Sequence, residues 1–174
     1  MPKIQVVKRE VVKVDFGKIG DPQRIAKIVG NLTHYYDPEL DPSRFEPAPS
    51  DPEPWRSREG LSAWPEGMVE REVAVIKPNI YFPNYAALKG YVDELTDFEH
   101  LLFPFLTCVK PWAPELYKKG VFWVPATDPN SLRRDSYGDL GVPYSYCFPV
   151  GRGLRSSWVQ GGWGGDSGVL VACK

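Results

Sequence analysis

A serine set between glycines, two histidines and three cysteines are the side chains with which this chain could do covalent or metal chemistry. Ser167 stands in Gly165-Asp166-Ser167-Gly168, a setting for a nucleophile if a histidine took its proton and a carboxylate oriented that histidine. The histidines are His34, in NLTHYYDP, and His100, in DFEHLLF. Zinc sites gather His and Cys at short spacings, whereas here His34, His100, Cys108, Cys147 and Cys173 are scattered through the sequence. His34 and Asp37 lie three apart beside two tyrosines and read as surface polarity. Glu94 and Asp97 read as the solvated face of a helix rather than the paired carboxylates of a glycosidase. Gly151-Arg152-Gly153 lacks the strand-to-helix context and the further glycines of a phosphate-binding loop. The expectation is no catalytic residue, no cofactor and no metal.

The four residues around Ser167 resemble the nucleophile run of chymotrypsin-like serine proteases. The likeness ends there: neither histidine has the small-residue surroundings of that family's base, and Val169-Leu170 stands where the family has Gly-Pro. A serine hydrolase is therefore the weakest of the functional readings. The plain reading is a glycine-rich turn whose Asp166 and Ser167 bond local backbone before a strand. Cys108, Cys147 and Cys173 each sit in an apolar stretch and read as buried, reduced thiols, with one disulfide between strand neighbours left open.

Aromatic residues are the richest resource. Of six tryptophans, Trp123 and Trp158 fall within strand patterns and are expected in the core. Trp55, Trp64 and Trp163 fall in loops and are the candidate interface residues, since aromatics are enriched at the centres of interfaces. The same rings could form a platform for sugar faces.

The elements that must position these residues are mostly strands. KIQVVKREVVKVDF suits a half-buried strand or a bulged pair, and GMVEREVAVIKPNIYF a strand that Pro78 interrupts. HLLFPFLTCVK, LYKKGVFWVPA, VPYSYCFPV, LRSSWVQ and SGVLVACK read as further strands between turn-rich segments. Two short helices are expected: Pro22 to Val29, capped by Asp21, and Asn84 to Leu95, where Tyr85, Leu88, Val92 and Leu95 recur at helical spacing. The fold class is mainly β, a single antiparallel β-barrel or jelly-roll-like sandwich spanning 1–174. Residues 37–65 are dense in proline with no sustained period, yet carry Phe45, Trp55, Leu61 and Trp64, and read as an ordered, extended arm.

Net charge is −1, which gives no reason to expect a nucleic-acid partner. No apolar run approaches the roughly 18 residues of a membrane span, and neither a signal peptide nor a transmembrane helix is expected. Charge is nonetheless uneven. Lys3, Lys8, Arg9, Lys13, Lys18, Arg24 and Lys27 make the first segment basic, whereas Asp37, Glu39, Asp41, Glu46, Asp51, Glu53 and Glu59 make the arm acidic. Complementary patches of this kind can pair between copies.

Eighteen prolines with only two methionines and few Asn or Gln match the profile of thermophile proteins. In length, strand content and composition the whole chain resembles the smaller major capsid protein of tailless, membrane-containing icosahedral phages of Thermus. That resemblance implies a single upright β-barrel, a homodimer, and a shell shared with a second, larger capsid protein. It also implies a virion location beside an internal lipid membrane without insertion, and it brings no catalytic residues. The expected function is a structural capsid subunit; the alternative is a carbohydrate- or partner-binding β-sandwich module.

Overall fold

The computed structural model describes residues 4–15, 67–134, 140–149 and 151–174. The most apolar runs of the chain become its central strands. Val73-Ala74-Val75-Ile76 and Val169-Leu170-Val171-Ala172 carry no polar residue at either parity, the pattern of strands covered on both faces. They pair antiparallel, Val73 against Ala172 through Ile76 against Val169, within β2 (Met68–Lys77) and β8 (Val169–Cys173). β1 (Gln5–Asp15) lies along the free side of β2, and the short β3 (Phe98–Glu99) along the free side of β8. The result is an antiparallel sheet in the order β1-β2-β8-β3.

A second antiparallel sheet is built on β6 (Leu140–Phe148). β7 (Gly151–Trp158) occupies one edge of β6 along nearly its whole length. β4 (Trp123–Pro125) and β5 (Arg133–Arg134) therefore lie end to end along the other. A parallel bridge from Trp123 to Ser167 ties this sheet to the lead-in of β8, and an antiparallel bridge joins Phe82 to Trp163. Among the described residues the fold is mainly β, with antiparallel sheets and two short α-helices, and the strands do not close into a barrel.

The helices cover opposite faces of the first sheet. α1 (Tyr85–Asp93) starts where the Asn84 side chain accepts from the Ala87 amide at 2.9 Å, a standard N-cap. It buries Tyr85, Leu88 and Val92 against Ala74, Ile76, Val169 and Val171, close to the expected span. α2 (Val109–Lys118) buries Val109, Trp112, Ala113 and Leu116 against Val73, Val75, Leu170 and Ala172. Each fully buried Val or Leu contributes about 1.5–3 kcal/mol, so these two layers carry most of the fold.

α2 corrects the sequence reading, which placed strands through HLLFPFLTCVK and LYKKGVFWVPA. Phe103–Cys108 is instead a 3₁₀-helix that opens on Pro104 and runs directly into α2. The buried positions 109, 112, 113 and 116 follow helical spacing, but Pro111 and Pro114 hide it. Pro111 sits in the first turn, where no amide bond is lost. Pro114 lies inside the helix on its exposed side and removes the bond to the Lys110 carbonyl. The strand from LYKKGVFWVPA is only Trp123–Pro125.

The loop between β4 and β5 is stitched to both layers by buried polar groups. The Tyr85 hydroxyl donates to the Thr127 carbonyl at 2.5 Å, and Thr127 Oγ1 accepts from the Leu101 amide at 3.2 Å and donates to the Leu170 carbonyl at 3.4 Å. Ser131 Oγ accepts from the Phe103 amide at 2.8 Å. These buried hydroxyls are tolerated because each of them has such a partner. The helix expected at Pro22 to Val29 and the arm at 37–65 lie outside the described residues.

Candidate functional site

Ser167 is part of a seam. Its amide donates to the Gly164 carbonyl at 3.1 Å, the Phe122 amide donates to the Asp166 carbonyl at 2.8 Å, and the Gly168 amide donates to the Trp123 carbonyl at 2.7 Å. The glycine-rich turn expected from the sequence is thus the join between β4 and β8. Ser167 is 1% exposed, and its Oγ has no hydrogen-bond partner among the described residues. Among the described residues no histidine bonds Ser167, and its side chain is closed to solvent.

His100 is engaged elsewhere. Its Nε2 lies 2.7 Å from Asp93 Oδ1, while Lys89 Nζ donates to Asp93 Oδ2 at 2.7 Å. Asp93 ends α1 and His100 follows β3, so this trio fastens helix to sheet. Burial pushes the Asp93 carboxyl up, but the hydrogen bonds from Lys89 and His100 and their charges outweigh it and hold the group below the usual carboxylate range. Glu94 and Asp97 are exposed but lie past the end of α1 rather than on a helix face, Glu94 as its C-cap. Gly151-Arg152-Gly153 opens β7 and leads into no helix. Among the described residues no three His, Cys, Asp or Glu side chains gather as metal ligands would; His34 and Asp37 lie outside them.

The three cysteines are free, with Cys147 buried and the other two half-buried. Burial pushes the Cys108 thiol up to about 12, and its Sγ donates to the Phe105 carbonyl at 2.7 Å. Burial also raises the Cys173 thiol. Thiols held protonated in this way are poor nucleophiles.

Two tryptophans stand opposite to expectation. Trp158, placed in the core by its strand pattern, is 61% exposed. It ends β7 opposite Gly141, and the apolar role falls to its neighbour Val159. Trp163, a candidate interface residue, is 5% exposed: the bridge to Phe82, with amide–carbonyl distances of 2.8 and 2.7 Å, pins it inward. Its ring meets Tyr144 edge-on at 5.5 Å, and Tyr144 meets Trp123 at 5.8 Å. Trp123 in turn meets Phe148 at 4.9 Å, and the half-buried line continues through Phe122 to Tyr117. Trp55 and Trp64 lie outside the described residues.

Among the described residues, several exposed apolar side chains gather on the ribbon of β1 and β2. Directly opposed residues share a face. The register therefore sets Val12 and Val14 with Arg71 and Val69 on the α2 side, and Val6, Arg9, Val11 and Lys13 with Ile76, Ala74, Glu72 and Glu70 on the other. On the α2 side, Lys8 Nζ reaches Glu115 at 3.0 Å and lies 5.5 Å from the Trp112 ring centroid. Hydrogen bonds from Lys119 and Lys8 hold the Glu115 carboxyl below its ordinary range. Among the described residues, the other side has no such cover at the ribbon. Val11 is 57% and Met68 62% exposed, with Val6 also exposed, set among the pairs Arg9–Glu72 at 2.8 Å and Lys13–Glu70 at 3.3 Å.

β8 pairs with β2 only at Val73–Ile76, so among the described residues Met68–Glu72 and the facing part of β1 form a two-stranded extension. Among the described residues, no strand pairs with the outer edge of β1. The sequence held a signal for this surface. The doublets Val6-Val7 and Val11-Val12 put an apolar side chain on each face of one strand, and an edge strand cannot cover both from within its own sheet.

A smaller exposed patch lies at the turn after β7. The Gly161 amide closes this turn on the Trp158 carbonyl at 2.9 Å. Tyr81, itself exposed, lies so close over Gly162 that a Cβ there would sit 2.4–2.9 Å from its hydroxyl and ring. Comparison of the chain with family models, curated proteins and solved structures found no match.

Proposed function

We propose that the protein is a structural subunit of an icosahedral virus capsid, assembling through protein–protein contacts and carrying no catalytic role. The observation that supports this best is the β1–β2 ribbon, whose exposed Val6, Val11 and Met68 lie beside a strand edge that no described strand pairs. Exposed apolar side chains gathered beside an open edge mark an interaction surface. The capsid part of the reading draws on length, strand content and composition. In it, the two sheets belong to a jelly-roll-like barrel, and the chain forms homodimers in a shell with a second, larger capsid protein. That shell encloses a membrane that the protein does not enter; no helix among the described residues is long and apolar enough to cross one. The scarcity of Met, Asn and Gln fits a thermophilic host.

The carbohydrate- or partner-binding alternative has one observation in its favour, the exposed rings of Trp158 and Tyr81 at a single turn. Hydrolysis through Ser167 has none. Electron microscopy of the purified chain tests the capsid reading: ordered shells or sheets support it. Free subunits, together with selective retention on a glycan array that is lost on Trp158→Ala, favour the binding module instead.

A further inference from the structure

We propose that β1 pairs antiparallel with β1 of a second copy, centred on Val12, to make one continuous sheet across a twofold axis. The inference rests on the assembly reading and names its contact. Among the described residues β1 is an edge strand of 11 residues, and its register breaks between Val6 and Lys8. Val7 is the extra residue of that bulge, and Lys119 Nζ holds its carbonyl at 2.5 Å. A bulge disrupts the ladder and ends regular pairing. The regular part of the edge beyond it is therefore Lys8 to Asp15, whose centre falls between Val11 and Val12.

A twofold axis perpendicular to the sheet keeps each side chain on its own face, so a residue can oppose only residues of its own parity. That leaves few registers. With the axis at Val12 the whole of Arg9–Asp15 overlaps. Arg9 then faces the second copy's Asp15 at both ends, Val11 faces Lys13, Glu10 faces Val14, and Val12 faces itself. Moving the axis to Val11 sets Arg9 against Lys13. Moving it to Glu10 sets two glutamates together, and moving it to Lys13 sets two lysines together. Like charges directly opposite are destabilising and opposite charges favourable. Among these four registers only the Val12 axis opposes unlike charges without opposing like ones; its overlap equals that of the Val11 axis, so charge decides between the two. Lys and Glu on an edge ordinarily discourage pairing with other chains; here their spacing discourages the neighbouring registers, and an axis at Val14, which sets Lys13 against Asp15, overlaps the edge over three residues alone.

The exposed face gains as well. Val11 of each copy comes beside the aliphatic stem of the other's Lys13, and the two-stranded extension at Met68–Glu72 becomes part of a four-stranded one. Ribbons of two strands are marginal alone, and added strands stabilise them.

Cysteine scanning reads the register directly. Val11→Cys, Val12→Cys and Val14→Cys are treated in turn with a mild oxidant or a short thiol cross-linker, and the linked peptides are mapped by mass spectrometry to separate them from Cys108, Cys147 and Cys173. Only Val12→Cys is expected to give a residue-12-to-residue-12 link in most of the protein, because that Cβ pair alone is directly opposed. Asp15→Lys, which sets a second positive charge against Arg9, is expected to raise the dimer dissociation constant about tenfold with an unchanged circular dichroism spectrum. Preferential linking at residue 11 or 14, or association that Asp15→Lys leaves untouched, overturns the β1 contact while the assembly reading stands. A chain that stays monomeric throughout overturns both.

Discussion

Replacing Gly168 by alanine tests whether the Gly-Asp-Ser-Gly run is a packing joint. A Cβ at residue 168 would lie 2.8 Å from Val121 Cγ1 and 2.9 Å from Val75 Cγ1, and both valines are fully buried. Neither can swing into solvent, so one of the two layers that meet there must move. Forcing a methyl into such a site costs about 1–3 kcal/mol. Gly168 has no positive φ, so alanine can adopt its backbone and recovers about 0.4–1 kcal/mol by restricting the unfolded chain. A net loss of about 1–2 kcal/mol lowers Tm by about 2–8 °C for a chain of this size. Gly162→Ala is the internal comparison. Its Cβ would come closer still to a neighbour, 2.4 Å from the Tyr81 hydroxyl, but Tyr81 is exposed and can turn away. A shift within about 2 °C is expected there, as at other surface sites. Differential scanning calorimetry on the two variants separates the cases. A Gly168→Ala protein as stable as the parent, or a Gly162→Ala protein that is the less stable of the two, refutes the reasoning.

Ser167→Ala removes a buried hydroxyl that has no partner among the described residues. Tm is expected to hold or rise, since an unsatisfied buried polar group is itself a cost; a clear fall, or labelling of Ser167 by a fluorophosphonate probe, speaks against this. Asp93→Asn breaks the bonds to Lys89 and His100. Because the native carboxyl titrates below its ordinary value, its stabilising effect is complete above the unfolded-state value of about 3.9 and is lost as pH falls through the native one. The Tm gap between parent and Asp93→Asn should therefore be open at neutral pH and close in acid; a gap that widens on acidification contradicts the assignment.

The strands were legible where apolar residues alternate or run unbroken. β1, β2, β6, β7 and β8 all follow from such patterns, and α1 follows from Asn84 and the spacing of Tyr85, Leu88 and Val92. α2 was not, because Pro111 and Pro114 carry the local signal of a helix breaker while the burial that overrides it is tertiary. Tryptophan placement failed for a related reason. Strand membership does not say which face of an edge strand is covered, so Trp158 read as core, and a loop position does not reveal that a bridge to Phe82 buries Trp163. The Val-Val doublets of β1 were visible, but their meaning depends on β1 lying at the edge of its sheet, which only the strand order shows.

Sedimentation velocity of the intact chain over a wide concentration range tests the assembly claim most directly. The weight-average sedimentation coefficient is expected to climb with concentration from the monomer value to that of a dimer or larger species, and to climb further when the second shell protein is added. A single monomeric boundary at every concentration, unchanged by that partner, contradicts it.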